Sequence, residues 1–338
     1  MSENRRPPLR LKVDRSVMID AANVEVIREL SDFPQRLRGG GVAIGNFDGV
    51  HRGHARLVER LKVRARQAGG PALVFTFDPH PVRILRPEAA PPPLTWTDRK
   101  TTLLTRLGVD AVIAYRTDEE LLALTAREFF DQIIGRILGV RVIVEGPNFQ
   151  FGRHREGNVE LLQRFCRGAN LDLEIVEPLL VGGQYVSSSR VRELIRAGNV
   201  DAANQLLTEH YRIRGMVTHG DSRGTRIGFP TANLDAIDTL LPGEGIYAGR
   251  GTVAGRTWPA AIHIGPIPTF GLKSLKVEVH LLGFRGALYG TVLEVDFFTR
   301  LRDILHFATV DELKQQLERD VAAAADVYAR DEAGGSRT

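Results

Sequence analysis

Apolar residues are arranged in two regimes along the chain. In the first half, short apolar runs such as Val42–Ile44 and PALVFTF alternate with stretches whose apolar residues recur at helical spacing, among them Leu57, Val58 and Leu61. Helices are predicted over Ala55–Ala68, which ends at Gly69 and Gly70, over Asp98–Leu107 and over Thr125–Leu138. Strands are predicted over Asp110–Tyr115, within VRVIVEG and over Leu173–Val176. Strand, helix, strand in this spacing is a βαβ unit, so an α/β fold with a parallel sheet is expected. Beyond Tyr211 the pattern changes to short strands broken by glycine and proline: RIRGMVTHG, GIYAGRGTV, WPAAIHIG, KVEVHLLGF and TVLEVDFF. These predict a small antiparallel β-barrel, capped by a C-terminal helix over Val310–Ala325. A single helix running through Leu207 is expected to connect the halves. The expected organisation is a basic tail over 1–22, a first domain over 23–186, a connecting helix over 187–207 and a second domain over 208–330.

Composition narrows the class. A length of 338 residues gives each of two domains room for its own core. No apolar run approaches the roughly 20 residues that span a bilayer, so no membrane association is expected. The basic, proline-containing start lacks the apolar stretch of a secretory signal. One cysteine, Cys166, excludes an internal disulfide and favours a reducing cytoplasm; its setting in LLQRFCRG reads as helix packing. The net charge of +4 raises nucleic acid as a partner, but basic and acidic residues alternate without concentrating. Small polyanions such as nucleotides account for the excess equally well, which argues against nucleic acid.

Candidate chemistry sits at the joints of the pattern. In VAIGNFDGVHRGHARLVERL a strand passes through a glycine-broken turn into a helix, with His51 and His54 three residues apart and so on one side. A helix start attracts phosphate, and glycines at 45, 49 and 53 let a polyphosphate approach the backbone. Two histidines donating to an α-phosphate suit nucleotidyl transfer. On spacing alone such a pair is more often structural, and a metal site is disfavoured because no cysteine or carboxylate cluster completes a ligand set. His80, between two prolines, follows a strand at the end where open sheets place ligands; alone it reads as a rigid loop residue. In GPNFQFG, Asn148 can hydrogen-bond a ribose or phosphate, and one of Phe149 and Phe151 is expected in the core. Three serines before VRELI mark a helix start, where Ser188, Ser189 and Arg190 or Arg192 suit a triphosphate.

In the second half, Gly220, Gly224 and Gly228 form a loop able to wrap phosphates, with Arg223 and Arg226 adding charge. Thr231 and Asn233 offer hard oxygens suited to Mg²⁺ held against ATP. Glu278 reads as an outward strand residue between inward Val277 and Val279.

GNFDGVHRGH resembles the HxGH signature of the nucleotidyltransferase superfamily. Together with FDPHP, GPNFQFG, VSSSRVR and GFPTAN, in that order over about residues 24 to 325, it resembles the bacterial bifunctional riboflavin kinase/FAD synthetases. That resemblance implies a Rossmann-like nucleotidyltransferase domain followed by a riboflavin kinase barrel. It implies that riboflavin is phosphorylated to FMN and FMN adenylylated to FAD, with ATP and Mg²⁺ as the nucleotide and metal. It places Gly45, Phe47, Asp48, His51, His54, Asn148, Ser188 and Ser189 around nucleotide and substrate, and Arg192 on the leaving pyrophosphate. In the barrel it assigns Gly220, Gly224 and Gly228 to the phosphate loop, Thr231 and Asn233 to the metal, and Glu278 to the base. The departures are Ile267, Gly283, Ile304 and His306, which stand where other residue types are usual and imply a weakened kinase. Two alternatives follow: a monofunctional FMN adenylyltransferase whose barrel only binds flavin, and a non-catalytic flavin- or nucleotide-responsive binding protein. Oligomeric state is not legible.

Overall fold

The structure, a computed structural model, describes residues 24–31, 33–219, 224, 227–266 and 275–334. The basic tail, Gly220, Arg223, Arg226 and Ile267 lie outside them. Six strands form a parallel sheet: β1 (Glu25–Ile27), β2 (Gly41–Ile44), β3 (Ala72–Asp78), β4 (Ala111–Arg116), β5 (Val142–Glu145) and β6 (Asp172–Ile175). Their spatial order is β1-β4-β3-β2-β5-β6. The central strands are covered on both faces, which is why they read as unbroken apolar runs. Leu73 and Phe75 of β3 belong to one core and Val74 to the other. The crossovers are α1 (Arg52–Gln67), α2 (Pro81–Leu85), α3 (Thr97–Arg106), α4 (Glu119–Ala123), α5 (Ala126–Glu128, continued as a π-helix over Phe129–Leu138) and α6 (Val159–Ala169). Helix α1 starts before the predicted Ala55 because His51 caps it. Cys166 is buried in α6 and its thiol is pushed up to about 11 by burial, so it packs as the sequence predicts.

The chain leaves β2 toward β3 on one side and β5 toward β6 on the other, so the order reverses between β2 and β5. A crevice opens at the carboxyl ends of strands at such a switch point. It is the first candidate site.

After a short hairpin, β7 (Leu180–Val181) and β8 (Gln184–Tyr185), the single connecting helix predicted is in fact two, α7 (Ser188–Arg196) and α8 (Val200–Leu206). Gly198 at φ +73° turns the chain between them and Asn199 caps the second. Their apolar residues Val191, Ile195, Val200, Ala203 and Leu206 share one core with the barrel.

The barrel is closed and antiparallel: β9 (Tyr211–Thr218), β10 (Ala232–Asp235), β11 (Gly245–Val253), β12 (Arg256–Pro266), β13 (Leu275–Leu281) and β14 (Val292–Arg302), in the order β10-β13-β12-β11-β14-β9. Five of these strands are predicted; the sixth, β10, is the segment read only for its metal-type oxygens. It pairs with both β9 and β13 and closes the barrel. Helix α9 (Val310–Gly334) packs on β11, β12 and β14, nine residues longer than predicted, because no glycine or proline interrupts it after Ala325.

Candidate active sites

The loop from β2 into α1 is held in a conformation its sequence does not favour. Phe47 and Val50 carry φ of +47° and +39°, a region that bulky and β-branched residues rarely occupy. Both are buried, and the burial of their side chains holds the turn. Asp48 fixes it further: its carboxylate accepts from the backbone N–H of Leu94 at 3.0 Å and of Thr95 at 3.1 Å, and pairs with Arg192 of α7. Its carbonyl accepts from the Ser188 hydroxyl at 2.8 Å. Asp48, Ser188 and Arg192 thus form one buried clamp that joins the histidine loop to α7.

The two histidines cap α1 reciprocally. His51 Nδ1 accepts from the His54 N–H at 3.3 Å, and His54 Nδ1 accepts from the His51 N–H at 3.2 Å. The rings stack with centroids 3.6 Å apart, and Phe47 packs on the other side of His54 at 5.0 Å. With both Nδ1 atoms accepting, the proton of each neutral ring resides on Nε2. Burial holds His51 down to about 4 and His54 well below its ordinary range, the latter helped by His51 and Lys100. Both rings are neutral Nε2–H donors at neutral pH. Gly53 makes room for the pair: a Cβ there would lie 3.1 Å from the His51 ring.

A cavity of about 310 Å³ opens above them at the switch point. Gly45, Phe47, His51, His54, Asn148 and Phe149 line it. Phe149 faces the cavity and stacks on Phe151, which is buried against Phe129 and Phe165, so one phenylalanine is core and one is wall. The serine on the cavity wall is Ser187, the N-cap of α7, with Ser188 and Ser189 following it in the first turn.

Sequence reasoning missed three residues here. Asn46 lines the cavity with a buried Oδ1 that has no partner among the described residues. Glu145, at the end of β5, accepts from the Ile44 N–H at 2.6 Å across the crevice, and burial raises its carboxyl well above the usual range. Ser187 was recognisable only as one of three capping hydroxyls. A charge inside an apolar strand, as in VIVE, is the one signal that pointed at Glu145.

The barrel site is built from register. Asn233 of β10 stands opposite Thr218 of β9 and Glu278 of β13, and Glu278 stands opposite His263 of β12. Val277 and Val279 fill the core, leaving Glu278 on the outer face. Glu278 accepts from Lys276 Nζ at 2.8 Å and contacts His263 Nδ1 at 3.2 Å; chiefly the His263 hydrogen bond, with Lys276 adding to it, holds the carboxyl down to about 2. Neither His263 nor Lys276 is legible as a partner before the register is known. Asn233 Oδ1 is buried without a hydrogen-bond partner among the described residues. An orphaned carbonyl oxygen beside a hydroxyl and a carboxylate is the donor chemistry of a hard divalent cation. Gly224 touches this segment: its carbonyl accepts from Phe229 N–H at 2.8 Å, and any Cβ there would meet the Phe229 carbonyl at 2.2 Å. Gly228, at φ +91°, supplies the turn. Gly283 also has positive φ, +75°, in the turn after β13.

A neutral histidine pair at the switch point of a parallel sheet, followed by a barrel presenting a carboxylate beside an orphaned amide oxygen, fits a two-module enzyme of phosphate-group transfer. The FAD synthetase family model matches residues 33–190, and the riboflavin kinase family model matches residues 207–328. A bifunctional riboflavin kinase/FMN adenylyltransferase of Pseudomonas fluorescens is 36% identical, covering 89% of this chain and 97% of that one. Another, from Bacillus subtilis (strain 168), is 34% identical, covering 82% of this chain and 89% of that one. A solved structure described as a macrolide-efflux protein from Streptococcus pneumoniae matches with a TM-score of 0.79 at 30% identity, over 89% of this chain and 98% of that one. Among the described residues, no helix is long and apolar enough to cross a membrane. The chain belongs to the bifunctional riboflavin kinase/FMN adenylyltransferase family.

Proposed function

We propose that this chain makes FAD in two steps: ATP-dependent phosphorylation of riboflavin to FMN on the barrel, then transfer of AMP from ATP to FMN at the histidine cavity. The observation that carries the reading is the pairing of two family matches, one over each module, with relatives matched over nearly their whole length. This favours the bifunctional reading over an adenylyltransferase with an inert barrel.

In adenylyl transfer, an FMN phosphate oxygen bonds to the α-phosphorus of ATP, and the bond from that phosphorus to the bridging oxygen breaks, releasing pyrophosphate. His51 and His54 donate Nε2–H to the α-phosphate as its charge builds. Gly45, Asn148 and Ser189 border the nucleotide. The clamp of Asp48, Ser188 and Arg192 keeps the histidine loop and the N-terminus of α7 in register, and Phe47 holds the His54 ring. Arg192 meets the leaving pyrophosphate by exchanging part of its contact with Asp48.

In the kinase, Glu278 orients the ribityl hydroxyl and takes its proton. Its low basicity is tolerable because a loose phosphoryl-transfer transition state deprotonates the nucleophile late. Thr231 and Asn233 would hold Mg²⁺, which would supply positive charge against the transferring phosphates. Gly220, Gly224 and Gly228 let the loop backbone approach them. The domains run over 23–186 for adenylyl transfer, 187–207 as a connector whose first helix also lends Ser188, Ser189 and Arg192 to that site, and 208–330 for the kinase. The single cysteine fits a cytoplasmic location.

Product analysis by chromatography tests this. Purified protein with Mg-ATP receives riboflavin in one tube and FMN in another, and FAD is expected from both. FAD from FMN alone would demote the barrel to a binding module; FMN accumulating from riboflavin with no FAD in either tube would overturn the histidine assignment.

A further inference from the structure

Lys100, in the first turn of α3, is a buried cation with no counter-ion in contact among the described residues. It is 7% exposed, and among those residues its Nζ meets only neutral acceptors, the Phe77 carbonyl at 3.3 Å and the Thr76 hydroxyl at 3.5 Å. The two carboxylates whose charge reaches it are engaged elsewhere: Asp48 with Arg192, and Asp78 facing Arg28 at 3.7 Å. An ammonium buried in this way is costly unless an anion joins it.

Lys100 lines a second cleft, of about 410 Å³, between the carboxyl end of β3, the start of α3 and Arg214 of the barrel. His80 and Asp48 also line it, while Phe47, next in sequence to Asp48, lines the histidine cavity. The two spaces therefore meet at the turn that carries the histidines. Thr76 links them further, receiving Lys100 on one side and donating to the Asn46 carbonyl at 3.1 Å on the other.

We infer that Lys100 holds the phosphate of FMN as the acceptor in adenylyl transfer, with the flavin lying in this second cleft. The inference rests on the adenylyl-transfer reading given above. Two phosphates must approach one another for the reaction, and a compact ammonium at the junction offsets their repulsion. Lys100 touches the acceptor phosphate and moves no proton. Its contribution is specific to the phosphate and absent for a flavin without one.

The test is steady-state FAD formation by the full chain and by Lys100→Met and Lys100→Arg, with lumiflavin, which has no phosphate, as competitor of FMN. Lys100→Met is expected to raise the FMN KM about tenfold or more, the loss of one charge-assisted contact. The lumiflavin inhibition constant, the ATP KM and riboflavin phosphorylation should stay within about twofold, and Lys100→Arg should recover part of the FMN KM. Lys100→Gln, which keeps a donor for Phe77 without the charge, repeats the comparison if the Met variant folds poorly. An unchanged FMN KM in both uncharged variants, with normal wild-type FAD formation, overturns the assignment alone. So does an equal rise for FMN, lumiflavin and ATP, which would mean a packing role. Wild-type protein that forms no FAD from FMN overturns the adenylyl-transfer reading itself.

Discussion

His51 shows how a helix cap is poised for the role proposed for it. The Nδ1 bonds to backbone fix the tautomer, burial keeps the ring neutral at pH 7, and the remaining Nε2–H is committed to the cavity. His51→Ala removes that donor and is expected to cost FAD formation roughly 10²- to 10³-fold, the usual loss for one preorganised oxyanion donor. FMN formation from riboflavin should be spared. Parallel loss of both activities in a folded variant would contradict two separate sites. Glu278 is tuned by its neighbours in the opposite sense, toward the charged form. Its folded pKa lies below the ordinary carboxylate value, so the group is ionised above about pH 2 and loses that state only as pH falls further. Lys276→Met takes away one of the contacts responsible, at 2.8 Å, and so raises the Glu278 pKa. The acid limb of kcat/KM for riboflavin should then move to higher pH, with the alkaline limb unchanged. A pH–rate profile carried down to about pH 2, where the wild-type acid limb falls, reads this directly. An acid limb that stays in place would remove Glu278 from the proton-transfer role.

At the scale of the element, the start of α1 carries a testable conflict between stability and activity. Gly53 has ordinary helical backbone, so Ala is conformationally better there by about 1 kcal/mol. Its Cβ would nevertheless press on the His51 ring at 3.1 Å. Gly53→Ala is therefore expected to leave Tm unchanged or higher while lowering FAD formation roughly tenfold, with riboflavin phosphorylation intact. A calorimetric scan beside the two assays separates these effects; an active, stabilised variant would show that the ring has slack. The elements themselves were legible to different degrees. Strands β2 to β5 are buried on both faces and announce themselves as apolar runs, and the glycines after α1 mark its end. β10 was missed because its apolar/polar alternation lasts only four residues, directly after the glycine and proline of GFPT, and its Asn233 was read for its oxygen rather than for its place in a strand. The break at Gly198 was hidden because a helical period resumes directly after it. Of the site, the motif histidines, Asn148 and the barrel oxygens could be read in the sequence. Asn46, Lys100 and His263 could not, and Glu145 left only its charge at the end of an apolar run, since such polar groups leave no periodic trace and acquire partners only through strand order and register.

Across the whole molecule, the connector is part of the barrel's core rather than a tether. Val191, Ile195, Val200, Ala203 and Leu206 of α7 and α8 pack in one cluster with Tyr211, Ile213 and Phe297 of the barrel, and Leu94 of the first module joins them. The Leu240 N–H donates to the Pro93 carbonyl at 2.8 Å, and Arg214 of β9 lies 4.7 Å above the Trp96 ring. Glu209, between α8 and β9, is half-buried and binds both Arg99 and Arg106 of α3, of which Arg99 is buried. A shared core and an ion pair across the joint whose Arg99 is buried predict that the two modules unfold together. Glu209→Ala leaves the Arg99 guanidinium buried beside Arg212 without its carboxylate, which costs about 3 to 5 kcal/mol in comparable cases. Because that loss falls on the joint and not inside either module, calorimetry should show the single wild-type transition fall in temperature and separate into two. The kinase assay near the new lower transition identifies which module melts first. One undivided transition at the wild-type temperature would mean that the apolar cluster couples the modules without the ion pair, and Leu94→Ala would then be the variant that uncouples them.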